Sequence, residues 1–78
     1  MKNLEIARIF NNIADLLEIK GENPFRIRAY RRAAQNLESI AEDLATIADR
    51  GDLREIPGIG KDLSKKVEEY LSSGSMSY

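Results

Sequence analysis

The sequence predicts an all-α fold, a small bundle of four main helices plus one short helical turn. Apolar residues recur at three- and four-residue spacing along each segment, and no stretch alternates apolar and polar as a half-buried strand would. Glycine and proline fall at the borders of these segments rather than inside them. Asn3 is expected to cap the first helix, along which Ile6, Ile9, Phe10, Ile13, Leu16 and Leu17 follow, and Gly21 ends it. Asn23 is expected to cap the second, with Pro24 in the first turn, where a missing N–H is harmless. Phe25, Ala29, Tyr30, Ala33, Ala34 and Leu37 form its apolar stripe, and the small alanines allow a neighbouring helix to come close.

Ser39-Ile40-Ala41-Glu42 fits a capping box and starts the third helix, with Leu44, Ile47 and Ala48 on its apolar side and Gly51 as its stop. Asp52 is expected to cap one short turn through Leu53 and Ile56. A hairpin, Pro57–Gly60, comes next. The last helix runs from about Lys61 to Ser72, with Leu63, Val67, Tyr70 and Leu71 facing inward. Short connections imply that consecutive helices pack near antiparallel. One domain is expected over residues 1–74, and the polar composition of 75–78 reads as a flexible tail or linker.

Seventy-eight residues limit the chain to one small core. It contains no cysteine and no histidine, which excludes disulfides, Cys/His zinc sites and nucleophiles activated by histidine. No apolar run has membrane-spanning length and nothing resembles a cleavable signal, so a cytoplasmic location and no membrane partner are expected. The net charge is −1, but its distribution is uneven. Arg26, Arg28, Arg31 and Arg32 lie in one window without an acid, and Lys61, Lys65 and Lys66 lie in another against Asp62 alone. The two windows carry about +6 and the remainder about −7. If they meet in space, one face is cationic and the opposite face acidic.

The segment Ile56-Pro57-Gly58-Ile59-Gly60-Lys61 is the most informative. Gly58 and Gly60 can take positive φ and let another backbone approach. The amides that open the following helix are bare, and the helix dipole turns its positive end outward, which favours an anion such as phosphate. Helix, glycine-bearing hairpin, helix is the helix-hairpin-helix arrangement. Ile59 should tuck between the two helices, and Lys61 and Lys65, four apart, share a face that can reach neighbouring phosphates. Such contacts fix a nucleic-acid backbone without reading its bases.

The chain also resembles the N-terminal domain of the X family of DNA polymerases, the small domain of DNA polymerase beta and its bacterial and archaeal relatives. The resemblance covers about residues 3–74. It rests on Ile6-Ala7 with Phe10, on Ile13–Glu18, on the run Gly21–Ala34, on Ile56–Lys61 and on Glu69-Tyr70-Leu71. It implies binding of gapped or nicked DNA near a 5′-phosphate, with Phe25 and Arg26 at matching positions, beside Arg28, Arg32, Gly58, Ile59, Gly60, Lys61 and Lys65, which the hairpin and the cationic windows supply. It also implies covalent linkage to polymerase domains, and the small size and high charge of the chain fit a monomer.

In the beta enzyme the domain removes a 5′-deoxyribose phosphate through a lysine six residues after the second hairpin glycine, and the same count here reaches Lys66. A lysine amine forms a Schiff base only when neutral, a state that neighbouring cations favour. Tyr30 matches a tyrosine close to that lysine. Arg26 stands where the family grips the 5′-phosphate with a lysine, and Phe25 where a histidine stacks on a base. Asp62 departs from the pattern, because a phosphate-binding lysine occupies its place in the beta enzyme.

The family's hairpin can hold a monovalent cation, and the matching carbonyls are those of Arg54, Ile56 and Ile59; no other cofactor is implied. Three readings remain open from sequence: a non-sequence-specific DNA-binding module, a deoxyribose-phosphate lyase acting through Lys66, and a protein-interaction bundle. Polymerase chemistry is not expected within this chain, which shows no aspartate constellation for two metals.

Overall fold

In a computed structural model describing residues 1–78, the chain forms α1 (Asn3–Ile19), α2 (Pro24–Ser39), α3 (Leu44–Asp49), a 3₁₀ turn (Leu53–Glu55) and α4 (Lys61–Ser73). No strand is present. The molecule measures 36 × 24 × 20 Å. No helix is long and apolar enough to cross a membrane.

The long helices α1 and α2 form the principal packed pair. Their facing stripes bury Ile6, Phe10, Ile13 and Leu17 against Tyr30 and Leu37. Ala7, Ala14, Ala33 and Ala34 lie at this centre with 0–1% exposure, so the backbones approach closely. The Phe10 and Tyr30 rings meet edge to face, 5.5 Å between centroids at 85°, an arrangement aromatic quadrupoles favour. Leu44 and Ile47 of α3, Leu53, Ile56 and Ile59 before α4, and Val67 of α4 complete one continuous core.

Helix α2 begins as expected. Asn23 Oδ1 accepts the Phe25 N–H at 2.8 Å, and Pro24 occupies the first turn. Both α1 and α3 end in Schellman turns. Glu22 N–H reaches the Leu17 carbonyl past Gly21, and Asp52 N–H reaches that of Ile47 past Gly51.

Several local expectations are corrected. Asn3 does not cap α1. It lies inside the helix, 2% exposed, and its amide bridges to the start of α3. Its Nδ2 donates to the Glu42 carbonyl at 2.7 Å, and its Oδ1 accepts from Leu44 N–H at 3.0 Å. Ser39 does not open α3. Its hydroxyl donates back to the Asn36 carbonyl, closing α2, and Asp43 caps α3 by accepting the Ala45 N–H at 3.0 Å. Glu42 instead pairs with Arg50, which also holds Asp52. Asp52 makes no side-chain cap on the 3₁₀ turn because its carboxylate is occupied by Arg50. Phe25 leaves the apolar stripe and is 73% exposed, while Ile27 packs on the core instead. Leu16 is likewise exposed.

Candidate nucleic-acid interface

The hairpin between the 3₁₀ turn and α4 is a tight turn. Ile59 N–H donates to the Ile56 carbonyl at 3.0 Å, with Pro57 and Gly58 between them. Proline followed by a residue at positive φ is the signature of a type II turn, and Gly58 has φ 84°. Gly60 does not adopt positive φ, contrary to expectation. It stands extended at φ −90° as the N-cap of α4. The two glycines therefore serve different ends. A Cβ on Gly58 would lie 3.1 Å from Asn36 Nδ2 and 3.7 Å from Ala33 Cα, so the turn docks on α2. A Cβ on Gly60 would meet nothing within 4 Å, so that position keeps an outer surface low.

Two anchors hold the turn. Ile59 is 2% exposed and packs into the core. Asn36 Nδ2 donates to the Pro57 carbonyl at 2.5 Å. With the turn fixed in this way, the amides of Gly58, Gly60, Lys61, Asp62 and Leu63 find no backbone acceptor. The first bond of α4 is Ser64 N–H to Gly60 carbonyl at 2.9 Å, and no side chain caps the helix. Five donors thus remain unpaired within the chain around one short bend. Arg32 packs beside Gly58, its Cγ 3.5 Å from the position of a Cβ there, and exposed Lys61 follows the bend directly.

The cationic windows flank this bend in two contiguous hollows. A groove of about 630 Å³ between α2 and α4 is lined by Arg26, Ala29, Tyr30, Asp62, Leu63, Lys65, Lys66, Glu69 and Ser77. Across Ala29 lies a shallower depression bordered by Arg28, Arg31, Arg32 and Gln35. The windows therefore meet, but not as one uniform surface. Arg31 is drawn to α1, where Asp15 (2.9 Å) and Glu18 (3.3 Å) hold its guanidinium and raise its pKa through the Asp15 hydrogen bond above all. Arg28 lies over the exposed Phe25 ring, 4.7 Å from its centroid, so the ring and the cation form one platform at the start of α2.

Inside the groove, Tyr30 is 3% exposed, and its hydroxyl is the polar end of a core side chain. Burial pushes its pKa up, while the neighbouring Arg26 guanidinium pulls it down. Lys66 is half-buried, and its Nζ donates to the Ser77 carbonyl at 2.7 Å. Asp62, where the resemblance expects a lysine, lines the same groove as Arg26, Lys65 and Lys66, and its carboxylate repels an anion there. Arg54 is exposed and Ile56 is buried. Of the carbonyls of Arg54, Ile56 and Ile59, only that of Ile56 accepts a backbone bond.

Sequence reading missed Asn36, Glu69 and Ser77. Asparagine is a poor helix former, so Asn36 inside α2 was a visible signal for a side chain used elsewhere. Nothing local in the sequence marked Ser77.

A family model described as a helix-hairpin-helix domain matches residues 1–76. The chain is also 35% identical over 77 residues to the DNA polymerase/3′-5′ exonuclease PolX of Bacillus subtilis (strain 168). That match covers 99% of this chain and 13% of the length of that protein. Both findings agree with the resemblance carried by Gly21–Ala34 and Ile56–Lys61.

Proposed function

We propose that this chain, which belongs to the helix-hairpin-helix domain family, is a DNA-binding module of a repair polymerase that grips the backbone of gapped or nicked DNA near a 5′-phosphate. The observation that carries this reading is the set of unpaired amides from Gly58 to Leu63, with Lys61 and Arg32 beside them. A phosphate oxygen accepts several such donors at once, and the α4 dipole adds to the attraction. Main-chain amides holding a phosphate position the duplex without selecting its sequence. Phe25, exposed beneath Arg28, offers a face on which an unpaired base stacks.

A monovalent cation held by the carbonyls of Arg54, Ile56 and Ile59 would add positive charge beside the same phosphate. The free lone pairs on these oxygens suit such an ion.

A second reading is favoured by the groove, where Lys66 lies with Arg26 and Tyr30. There Lys66 acts as a lyase nucleophile on a 5′-deoxyribose phosphate. The neutral amine attacks the C1′ aldehyde carbon, water leaves, and an imine forms. Transfer of a C2′ proton to water then breaks the C3′–O bond and frees the downstream strand with its 5′-phosphate, and hydrolysis of the remaining imine returns the Lys66 amine. Asp62 opposes the substrate phosphate in this groove, which favours the binding module over the lyase.

Fluorescence anisotropy with a gapped duplex, with and without a 5′-phosphate, tests the first reading. Binding that is indifferent to base sequence, tighter with the phosphate and steeply weakened by salt is expected. Absence of binding at low salt would leave only a helical bundle that meets other proteins. Borohydride trapping on a pre-incised abasic site tests the second, where an adduct lost in Lys66→Ala is the expected result.

A further inference from the structure

We propose that residues Ser75–Tyr78 form a latch over the groove between α2 and α4, with Glu69 as its anchor and Lys66 as the group it covers. After Gly74 ends α4 in the left-handed conformation, the chain turns back along the helix instead of leaving it. Ser77 is the closing point. Its N–H donates to Glu69 Oε1 at 2.8 Å, and its hydroxyl reaches both carboxylate oxygens at 2.9 and 2.8 Å. Its carbonyl, held in place by these bonds, accepts the Lys66 ammonium at 2.7 Å.

The neighbours of Ser77 are fastened independently. Met76 packs on the core, and the Tyr78 ring lies 5.6 Å from Lys20 Nζ at the end of α1. The hydrogen bond from Ser77 N–H is the leading cause that holds the Glu69 carboxyl below its usual range, with the Ser77 hydroxyl next.

The consequence concerns the chemistry of the groove. With the latch closed, Lys66 Nζ is engaged by a peptide carbonyl, and Ser77 forms part of the groove wall. An incoming phosphate or aldehyde competes with the Ser77 carbonyl for the amine. Glu69 is thus a positioning residue, acting on Lys66 through Ser77. The functional consequence rests on the groove reading proposed above, but the latch itself does not, and its test contains no DNA.

Reductive methylation with formaldehyde and cyanoborohydride reads the accessibility of each amine. The amine and formaldehyde condense with loss of water, and hydride from the cyanoborohydride reduces the imine. Peptide mass spectrometry then gives a rate for Lys66 against Lys61, an exposed lysine outside the latch. Ser77→Pro removes both the N–H and the hydroxyl while leaving the Glu69 charge in place, and Glu69→Ala removes the anchor. Both should speed Lys66 relative to Lys61 by about 3–10-fold, the scale of losing the one exposed hydrogen bond from Lys66 to the Ser77 carbonyl. Glu68→Ala, on a residue outside these bonds, should leave the ratio unchanged. Far-UV circular dichroism verifies that each variant keeps its helices. A Lys66 rate that is unaltered in Ser77→Pro, with helices retained, overturns the proposal. A rise in Glu69→Ala alone overturns it as well, since that would report the lost charge and not the contact.

Discussion

The two hairpin glycines should separate stability from binding. At Gly58, alanine must hold a left-handed backbone, which costs about 1–2 kcal/mol for an L-residue. Its methyl would also stand 3.1 Å from Asn36 Nδ2. Moving Asn36 aside disturbs its bond to the Pro57 carbonyl, worth about 0.5–1 kcal/mol at a partly exposed position. Gly58→Ala should therefore lose about 2 kcal/mol, or about 10–15 °C in midpoint for a domain of this size. At Gly60 the side chain of serine enters open space with an extended backbone, and serine ranks with or above glycine as an N-cap. Gly60→Ser should leave stability within a few tenths of a kcal/mol. Its hydroxyl would, however, accept one of the free α4 amides and stand where a phosphate must approach. Losing one charge-assisted bond of about 1.4 kcal/mol weakens binding about tenfold. Thermal denaturation by circular dichroism and anisotropy on a gapped duplex read the two effects. A Gly58→Ala protein as stable as the parent would refute the docking of the turn on α2. A Gly60→Ser protein that binds as tightly as the parent would refute the role of the free amides.

Other outcomes follow from the same structure. Asn3→Ala strips a buried bridge from the Glu42 carbonyl and the Leu44 N–H, and urea titration should show a loss of about 2–4 kcal/mol. Arg32→Ala and Lys61→Ala should each lower the slope of log affinity against log salt by about 1 without changing sequence preference, whereas Arg31→Ala, already paired on α1, should leave that slope unchanged. Tyr30 has a native pKa above 10.0, so above about pH 10 the unfolded chain releases its proton first. Stability from this group is complete below that pH and declines until the native pKa is passed. Denaturation midpoints across alkaline pH should show the decline, and Tyr30→Phe should reduce it. Glu42 behaves oppositely. The Arg50 hydrogen bond lowers its native pKa below 4.5, so its contribution is present above that pH and fades as pH falls through the native value; Glu42→Gln should flatten that part of the acid curve.

The helical elements were legible because apolar spacing and chain-breaking residues agree at each border. Asn23, Gly21 and Gly51 mark their ends by local chemistry, and the structure uses them so. The capping errors have one cause. A polar side chain near a helix end has several acceptors and donors within reach, and tertiary contacts choose among them. Asn3 turned to α3, Ser39 turned back to Asn36, and Asp52 was taken by Arg50. The bend itself was visible in Pro57–Gly60, but the distinct duties of Gly58 and Gly60 depend on Asn36, a partner 21 positions away from Pro57. The division of the α2 arginines was equally hidden, because only packing shows that Arg31 faces Asp15 and Glu18. The closure over Lys66 depends on a backbone carbonyl, a group that every residue carries and no sequence pattern singles out.

Asn36 has a consequence beyond holding a turn in place. By clipping the bend to α2, it ties the main-chain donors to the helix that bears Arg32, so both belong to one rigid body. Such a surface is pre-organised: little conformational freedom is surrendered on association, and more of the interaction survives as affinity. Polar groups on different segments would otherwise need ordering for each encounter. A single amide in the last turn of α2 thus sets how much of the electrostatic attraction becomes binding.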